Sequence, residues 1–171
     1  INGAVQVDGK IGKAMEFDGV NDHIEVQNSK NLNITNEITF GAWVNINEFA
    51  VTDHDSPFIT KANGANWGVW NLVHKVGDLS SGKTGFRFEM VINGVRNRIW
   101  SSMTGEKHRW YYLIGTFDGN EMCLYVDGIE NNCTSYLGSI DTNELNLQIG
   151  KQWWNGVTDS FFNRSIDDVM I

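Results

Sequence analysis

A chain of 171 residues, 41% hydrophobic and 12% aromatic, is long enough for one two-layer core and too apolar for a disordered tail. Its net charge of −8 opposes the phosphates of nucleic acids, and no apolar run approaches membrane-spanning length, so neither a nucleic-acid partner nor membrane insertion is expected. Eighteen glycines against one proline, Pro57, point to many tight turns rather than a stiff linker.

The chain starts at Ile1 without a methionine and reads as one domain, residues 1–171, cut from a larger protein. Its first notable stretch is "FDGVND" at 17–22, where Asp18, Asn21 and Asp22 gather hard oxygens in one short loop. Calcium takes roughly six to eight oxygen ligands in a tolerant geometry, and this loop supplies part of such a shell. The loop lacks the spacing of an EF-hand. Next, "ITFGAWVNI" alternates with a period of two and puts Ile38, Phe40, Ala42, Val44 and Ile46 on one face. "DHD" at 53–55, beside Pro57, reads as loop. "NWGVWNLVH" begins a strand in which Trp67 and Trp70 face opposite sides, so at most one joins the core. "GFRFEMVINGVRNRIW" predicts a hairpin turning at Asn93-Gly94 and carrying Arg87, Glu89, Arg96, Arg98 and Trp100.

"WYYLIGTFDGNEMCLYVDG" predicts two further strands, with Asp118-Gly119 as a structural turn after an inward Phe117. Cys123 and Cys133 flank "LYVDGIENN" and are expected to form a local disulfide, the mark of an oxidising compartment. A two-residue Asp127-Gly128 turn would pair Cys123 with Asn132 instead, so the bridge needs a bulge or a longer turn. "KQWWNG" sets Trp153 and Trp154 in a polar loop, where two indoles either bind something or fold back over a small hydrophobic cluster. Many short strands without helical periodicity predict an all-β sandwich.

Five stretches in order carry a resemblance: "GKIGKAMEFDGVNDHIEV", "ITFGAWVNI" followed by "FITK", "HRWYYLIGTFDGNEMCLYVDG", "LNLQIGKQ" and the terminal "SIDDVMI". Together they resemble the laminin-G-like, concanavalin A-like lectin/glucanase jelly-roll domains. The resemblance implies two antiparallel sheets, one concave, in a secreted or cell-surface binding module. It places the last strand beside the first, so that Asp167 or Asp168 would complete a structural calcium site with Asp18, Asn21 and Asp22. By alternation with Val169 and Ile171, Asp167 is expected to point inward. The alternative is that Asp22 and Asp167 cap backbone amides without an ion. Trp43 and Trp110 match core positions of the family and are assigned to packing.

The expected function is a non-catalytic carbohydrate-binding, lectin-like module with a structural calcium. Its site would combine Trp67, Trp70, Arg87, Glu89, Arg98, Trp100, Trp153 and Trp154. Sugar rings stack apolar faces on indoles while their hydroxyls seek charged and amide side chains. Rivals are a protein-binding adhesion module using a calcium-bearing rim, and a divergent glycan hydrolase or lyase. Against the last, glycan-cleaving members carry alternating carboxylates, Glu-x-Asp-x-(x)-Glu, and Glu89 stands alone.

Overall fold

The computed structural model describes residues 1–49, 55–63, 66–78, 81–154 and 158–171; the side chains of 63, 66–68, 153, 154, 158 and 159 lie outside that description. The strands are β1 (Val5–Asp8), β2 (Lys13–Asp18), β3 (Ile24–Val26), β4 (Ile38–Ile46), β5 (Asp55–Asn63), β6 (Asn66–Lys75), β7 (Gly85–Ile92) and β8 (Val95–Trp100). They continue as β9 (Trp110–Phe117), β10 (Glu121–Val126), β11 (Ile129–Ser135), β12 (Leu147–Ile149), β13 (Lys151–Trp154), β14 (Thr158–Phe161) and β15 (Asn163–Met170). One turn of 3-10 helix, Lys30–Leu32, is the only helical element among the described residues.

A seven-stranded sheet runs β1-β2-β15-β4-β9-β10-β11, and a six-stranded sheet runs β3-β12-β5-β6-β7-β8. Every strand pairing among the described residues is antiparallel. The expected sandwich is therefore the one observed. Its core lies between the inner faces, as period-two alternation requires. From β4 come Phe40, Ala42 and Val44, from β7 Phe86, Phe88 and Met90, and from β9 Tyr111 and Leu113, all buried. Phe40 meets the Trp70 ring at 4.7 Å and the Phe88 ring at 5.3 Å, so the two sheets interlock through aromatic contacts. Truncating such a ring to alanine costs about 3–5 kcal/mol.

Turn chemistry follows the sequence. Asn93 and Gly94 adopt φ of 50° and 75°, the left-handed pair that a two-residue hairpin turn needs. Asp118 Oδ1 accepts the amides of Asn120 and Glu121 at 2.9 and 2.8 Å, and Phe117 is buried, as expected for a purely structural turn. Asp127-Gly128 also turns through positive φ, and a bulge between Leu124 and Tyr125 then shifts the register by one. That bulge sets Cys123 opposite Cys133, and the two are joined as a disulfide.

Three local expectations are corrected. Asp55 and Pro57 lie in β5 rather than a loop. Trp43 and Trp110 are only partly buried, since they alternate with inward-facing Ala42, Val44 and Tyr111 and so stand on the outer face of the seven-stranded sheet. Asp167 is buried yet also lies on that outer side, because its neighbour Ile166 takes the core position. The register breaks between Asp167 and Met170, with Asp168 at φ 46°, so alternation counted back from Val169 and Ile171 gives the wrong face.

His74 is buried on β6 with its ring stacked on Phe49 at 4.4 Å. Its Nε2–H donates to the Thr104 carbonyl at 2.6 Å. Burial pushes its pKa down to about 4, against the Thr104 hydrogen bond and the Asp55 charge. The imidazole is therefore a neutral core group at physiological pH.

Candidate functional site

The outer face of the six-stranded sheet collects most of the polar residues marked in the sequence. Arg87 and Glu89 stand there because Phe86, Phe88 and Met90 take the inner face of β7. Strand pairing sets Trp100 opposite Arg87, Arg98 opposite Glu89 and Arg96 opposite Val91. From the other side β6 sets Asn71 opposite Glu89.

These side chains form one charged network. Glu89 is 1% exposed. Its Oε2 accepts from Arg98 Nε at 2.9 Å and Arg96 Nη2 at 2.6 Å, and Arg87 Nε stands 3.6 Å away. Its Oε1 accepts from Asn71 Nδ2 at 3.1 Å. Arg87 turns its other end to Asp55 Oδ2 at 2.7 Å and to Asp78 Oδ2 at 3.6 Å, and Lys75 Nζ reaches Asp55 Oδ1 at 3.3 Å. Buried charges persist only when paired in this way. Burial raises the Glu89 pKa, but Arg87, Arg96 and Arg98 outweigh it and hold the carboxyl below the ordinary glutamate range. Glu89 is thus an ionised anchor that fixes three guanidinium planes. The Arg87 guanidinium also lies 5.4 Å from the Trp100 ring centroid. Arg96 and Arg98 keep side-chain exposures of 15% and 28%, so they present oriented donors at the surface. Such an array can grip hydroxyl or carboxylate oxygens without further ordering.

The structure thus brings Arg87, Glu89, Arg98 and Trp100 together as expected and removes Trp70, which is buried in the core against Phe40. Trp67 has the opposite parity on β6, and its side chain lies outside the described residues. Trp153 and Trp154 belong to strand β13 rather than a loop, paired with Asp159 and Thr158 of β14. Their side chains also lie outside the described residues. The β13–β14 hairpin lies beside β5, where the Thr60 hydroxyl donates to the Lys151 carbonyl at 2.7 Å.

The oxygen-rich loop is built differently from the expectation. Asp18 Oδ1 accepts the amides of Val20, Asn21 and Asp22 at 2.8, 3.1 and 3.3 Å, and the Val20 bond is the largest cause of its lowered pKa. Asp22 is buried, and its Oδ2 accepts the Asp18 amide at 3.1 Å. Asp18 pairs with Asn163 on β15, which leaves Asp167 four residues further along that strand, about 13 Å away. There the Asp167 Oδ2 accepts the Ile11 amide at 2.9 Å in the turn between β1 and β2. Asp167 and exposed Asp168 are therefore not part of the loop's surroundings. A pocket of about 260 Å³ beside the loop is lined by Glu16, Asp18, Asp22, Asn47, Asn163 and Arg164, among others.

Two features escaped the sequence reading. Asp55 proves to be the main partner of Arg87, hidden by its place two residues before a proline. Lys61, the last residue of "FITK", is fully buried. Its ammonium donates to Asn28 Oδ1, Asn143 O, Asn143 Oδ1 and Leu145 O at 2.9–3.0 Å, tying two loops to β5. Burial lowers its pKa, against the charge of Glu144.

The fold has wide company among solved structures. Domain 4 of AbnA, a GH43 extracellular arabinanase from Geobacillus stearothermophilus solved with arabinotriose, is 18% identical, with a TM-score of 0.72, over 99% of this chain and 74% of that one. Mouse laminin alpha1 domains LG4-5 are 14% identical with a TM-score of 0.60, over 98% of this chain and 42% of that one. Trypanosoma rangeli sialidase is 17% identical with a TM-score of 0.58, over 97% of this chain and 26% of that one. No curated protein sequence matches the chain. Residues 18–171 match the family model described as the concanavalin A-like lectin/glucanases superfamily, and the chain belongs to that laminin-G-like family.

Proposed function

We propose that this chain is a non-catalytic carbohydrate-binding module whose ligand lies across the outer face of the six-stranded sheet. The observation that carries this reading is the Asn71–Glu89–Arg98 row, extended by Arg96 and bordered by Trp100. Its donors are held before any ligand arrives, which reduces the ordering cost of binding. The likeness in fold to an arabinanase domain solved with arabinotriose supports a saccharide as ligand. The absence of catalysis is supported by the state of Glu89. A general acid needs a raised pKa, and this carboxyl is held low by three arginines. The disulfide supports a secreted or cell-surface location.

A structural calcium belongs to the same proposal. Glu16, Asp18, Asp22, Asn47 and Asn163 line one pocket and offer the hard oxygens this ion prefers. They would hold it without Asp167 or Asp168, and its part would be to brace the loop.

An array of neutral and acidic glycans, probed with wild type and with Arg98→Ala, tests the binding. Signal that needs Arg98 supports the reading, and no signal on any glycan defeats it. Release of reducing ends from a bound polysaccharide would overturn the non-catalytic part.

A further inference from the structure

The outer face of the opposite sheet carries a second recessed site. Trp43 on β4 and Tyr112 on β9 are directly paired across the strands, and their rings stack at 4.9 Å with 25° between planes. Trp110 stands two residues before Tyr112 on the same face. With Lys10, Arg109, Asp127 and Gly128 these residues line a pocket of about 500 Å³. That is within the roughly 300–1,000 Å³ of small-ligand sites.

The cations are arranged, not scattered. Lys10 sits in the tight turn between β1 and β2, closed by the Gly9 amide to the Gly12 carbonyl at 3.0 Å. Asp167 holds that turn down through the Ile11 amide. The fit is close, since a Cβ on Gly9 would lie 2.4 Å from Asp167 Oδ2. So placed, the Lys10 ammonium lies 5.1 Å from the Trp43 ring centroid, and it has no carboxylate partner among the described residues. Arg109 is fixed at the far wall by Asp127 Oδ2 at 2.9 Å and lies 4.6 Å from the Tyr111 ring. Asp127 itself is spent, because its Oδ1 accepts the Tyr112 amide at 2.9 Å. Arg109 is balanced by Asp127 and by Glu106 at 3.9 Å, which leaves the Lys10 ammonium as the cation at this pocket without a carboxylate bound to it among the described residues.

We propose that this pocket is a second saccharide site, selective for a sugar ring that bears an anionic group, a carboxylate or a sulfate. The apolar face of the ring packs on the Trp43–Tyr112–Trp110 surface, and its anion draws Lys10 off the Trp43 ring into a charge-assisted hydrogen bond. Asp167 acts as a positioning residue for Lys10. With the site on the other sheet, the module holds two saccharide chains on opposite faces.

The test follows the indole N–H resonances of 15N-labelled protein, with Trp43 and Trp110 assigned through Trp43→Phe and Trp110→Phe. The probes are trigalacturonate, a sulfated heparin-derived disaccharide and neutral arabinotriose. The expected result is a saturable shift of the Trp43 and Trp110 signals with an anionic probe, and none with arabinotriose. Galacturonate identifies carboxylate and the heparin fragment identifies sulfate as the anion. Lys10→Ala, at an exposed turn, should weaken that binding at least fivefold and leave the spectrum otherwise folded. Overturning results are no shift of either signal at 10 mM of both anionic probes, equal shifts with arabinotriose, or undiminished affinity in Lys10→Ala. Shifts confined to Trp100 would also overturn this site while leaving the six-stranded-sheet site standing.

Discussion

Acidification should destabilise this protein well before its carboxylates titrate, through His74. The imidazole has a folded pKa of about 4 against 6.5 for the free group. The unfolded chain therefore binds a proton between those values that the folded chain refuses, so stability falls as pH falls through this window and is flat below it. The linkage relation gives a loss of about 2 kcal/mol between pH 7 and pH 5, and about 3 kcal/mol by pH 4. At pH 5 this corresponds to roughly 4–8 °C in Tm for a domain of this size. Urea denaturation at both pH values, for wild type and for His74→Gln, isolates the effect, since Gln can still donate to the Thr104 carbonyl but does not titrate. The variant should lose less stability than wild type between pH 7 and pH 5, by about the same 2 kcal/mol. Equal losses in the two proteins would show that His74 is not a buried neutral group.

Three other outcomes follow from the structure. Lys61→Met keeps the length of the side chain but leaves the oxygens of Asn28, Asn143 and Leu145 without their ammonium, and should cost about 1–3 kcal/mol in urea denaturation. A cost under about 1 kcal/mol would contradict the cage. Reducing the Cys123–Cys133 bond, which closes a separation of 10 residues, should remove roughly 2–3 kcal/mol of stability, and an unchanged melting curve with both thiols titrated would refute it. Chelator should lower Tm and calcium restore it, because an ion bound only by the folded state stabilises that state; identical curves for metal-free and calcium-loaded protein would remove the ion from the account.

The sandwich was legible because alternation and turn residues are local signals. Phe86, Phe88 and Met90 announce an inner face, and Asn93-Gly94 announces its hairpin. The hairpin in turn set Arg87, Glu89, Arg98 and Trp100 in one patch, since register follows from the turn. What failed depended on long-range facts. Asp167 was misplaced because a bulge at Asp168 breaks the alternation, and strand order alone decides that its strand meets Asp18 at Asn163. The family resemblance assigns Trp43 to packing, although its own strand pattern, alternating with Ala42 and Val44, points it outward. Lys61 reads as a surface lysine, and only the loops from Asn28 and Asn143 turn it into a buried cation.

The most direct test of the central claim is an isothermal titration of wild type and Arg98→Ala with an oligosaccharide selected from the array. Removing Arg98 leaves Glu89 paired with Arg96 and Arg87, so the fold should hold and Tm should stay within a few degrees. Affinity should fall at least tenfold, about 1.4 kcal/mol. A folded Arg98→Ala protein that binds the oligosaccharide as tightly as wild type would contradict a saccharide site on this face.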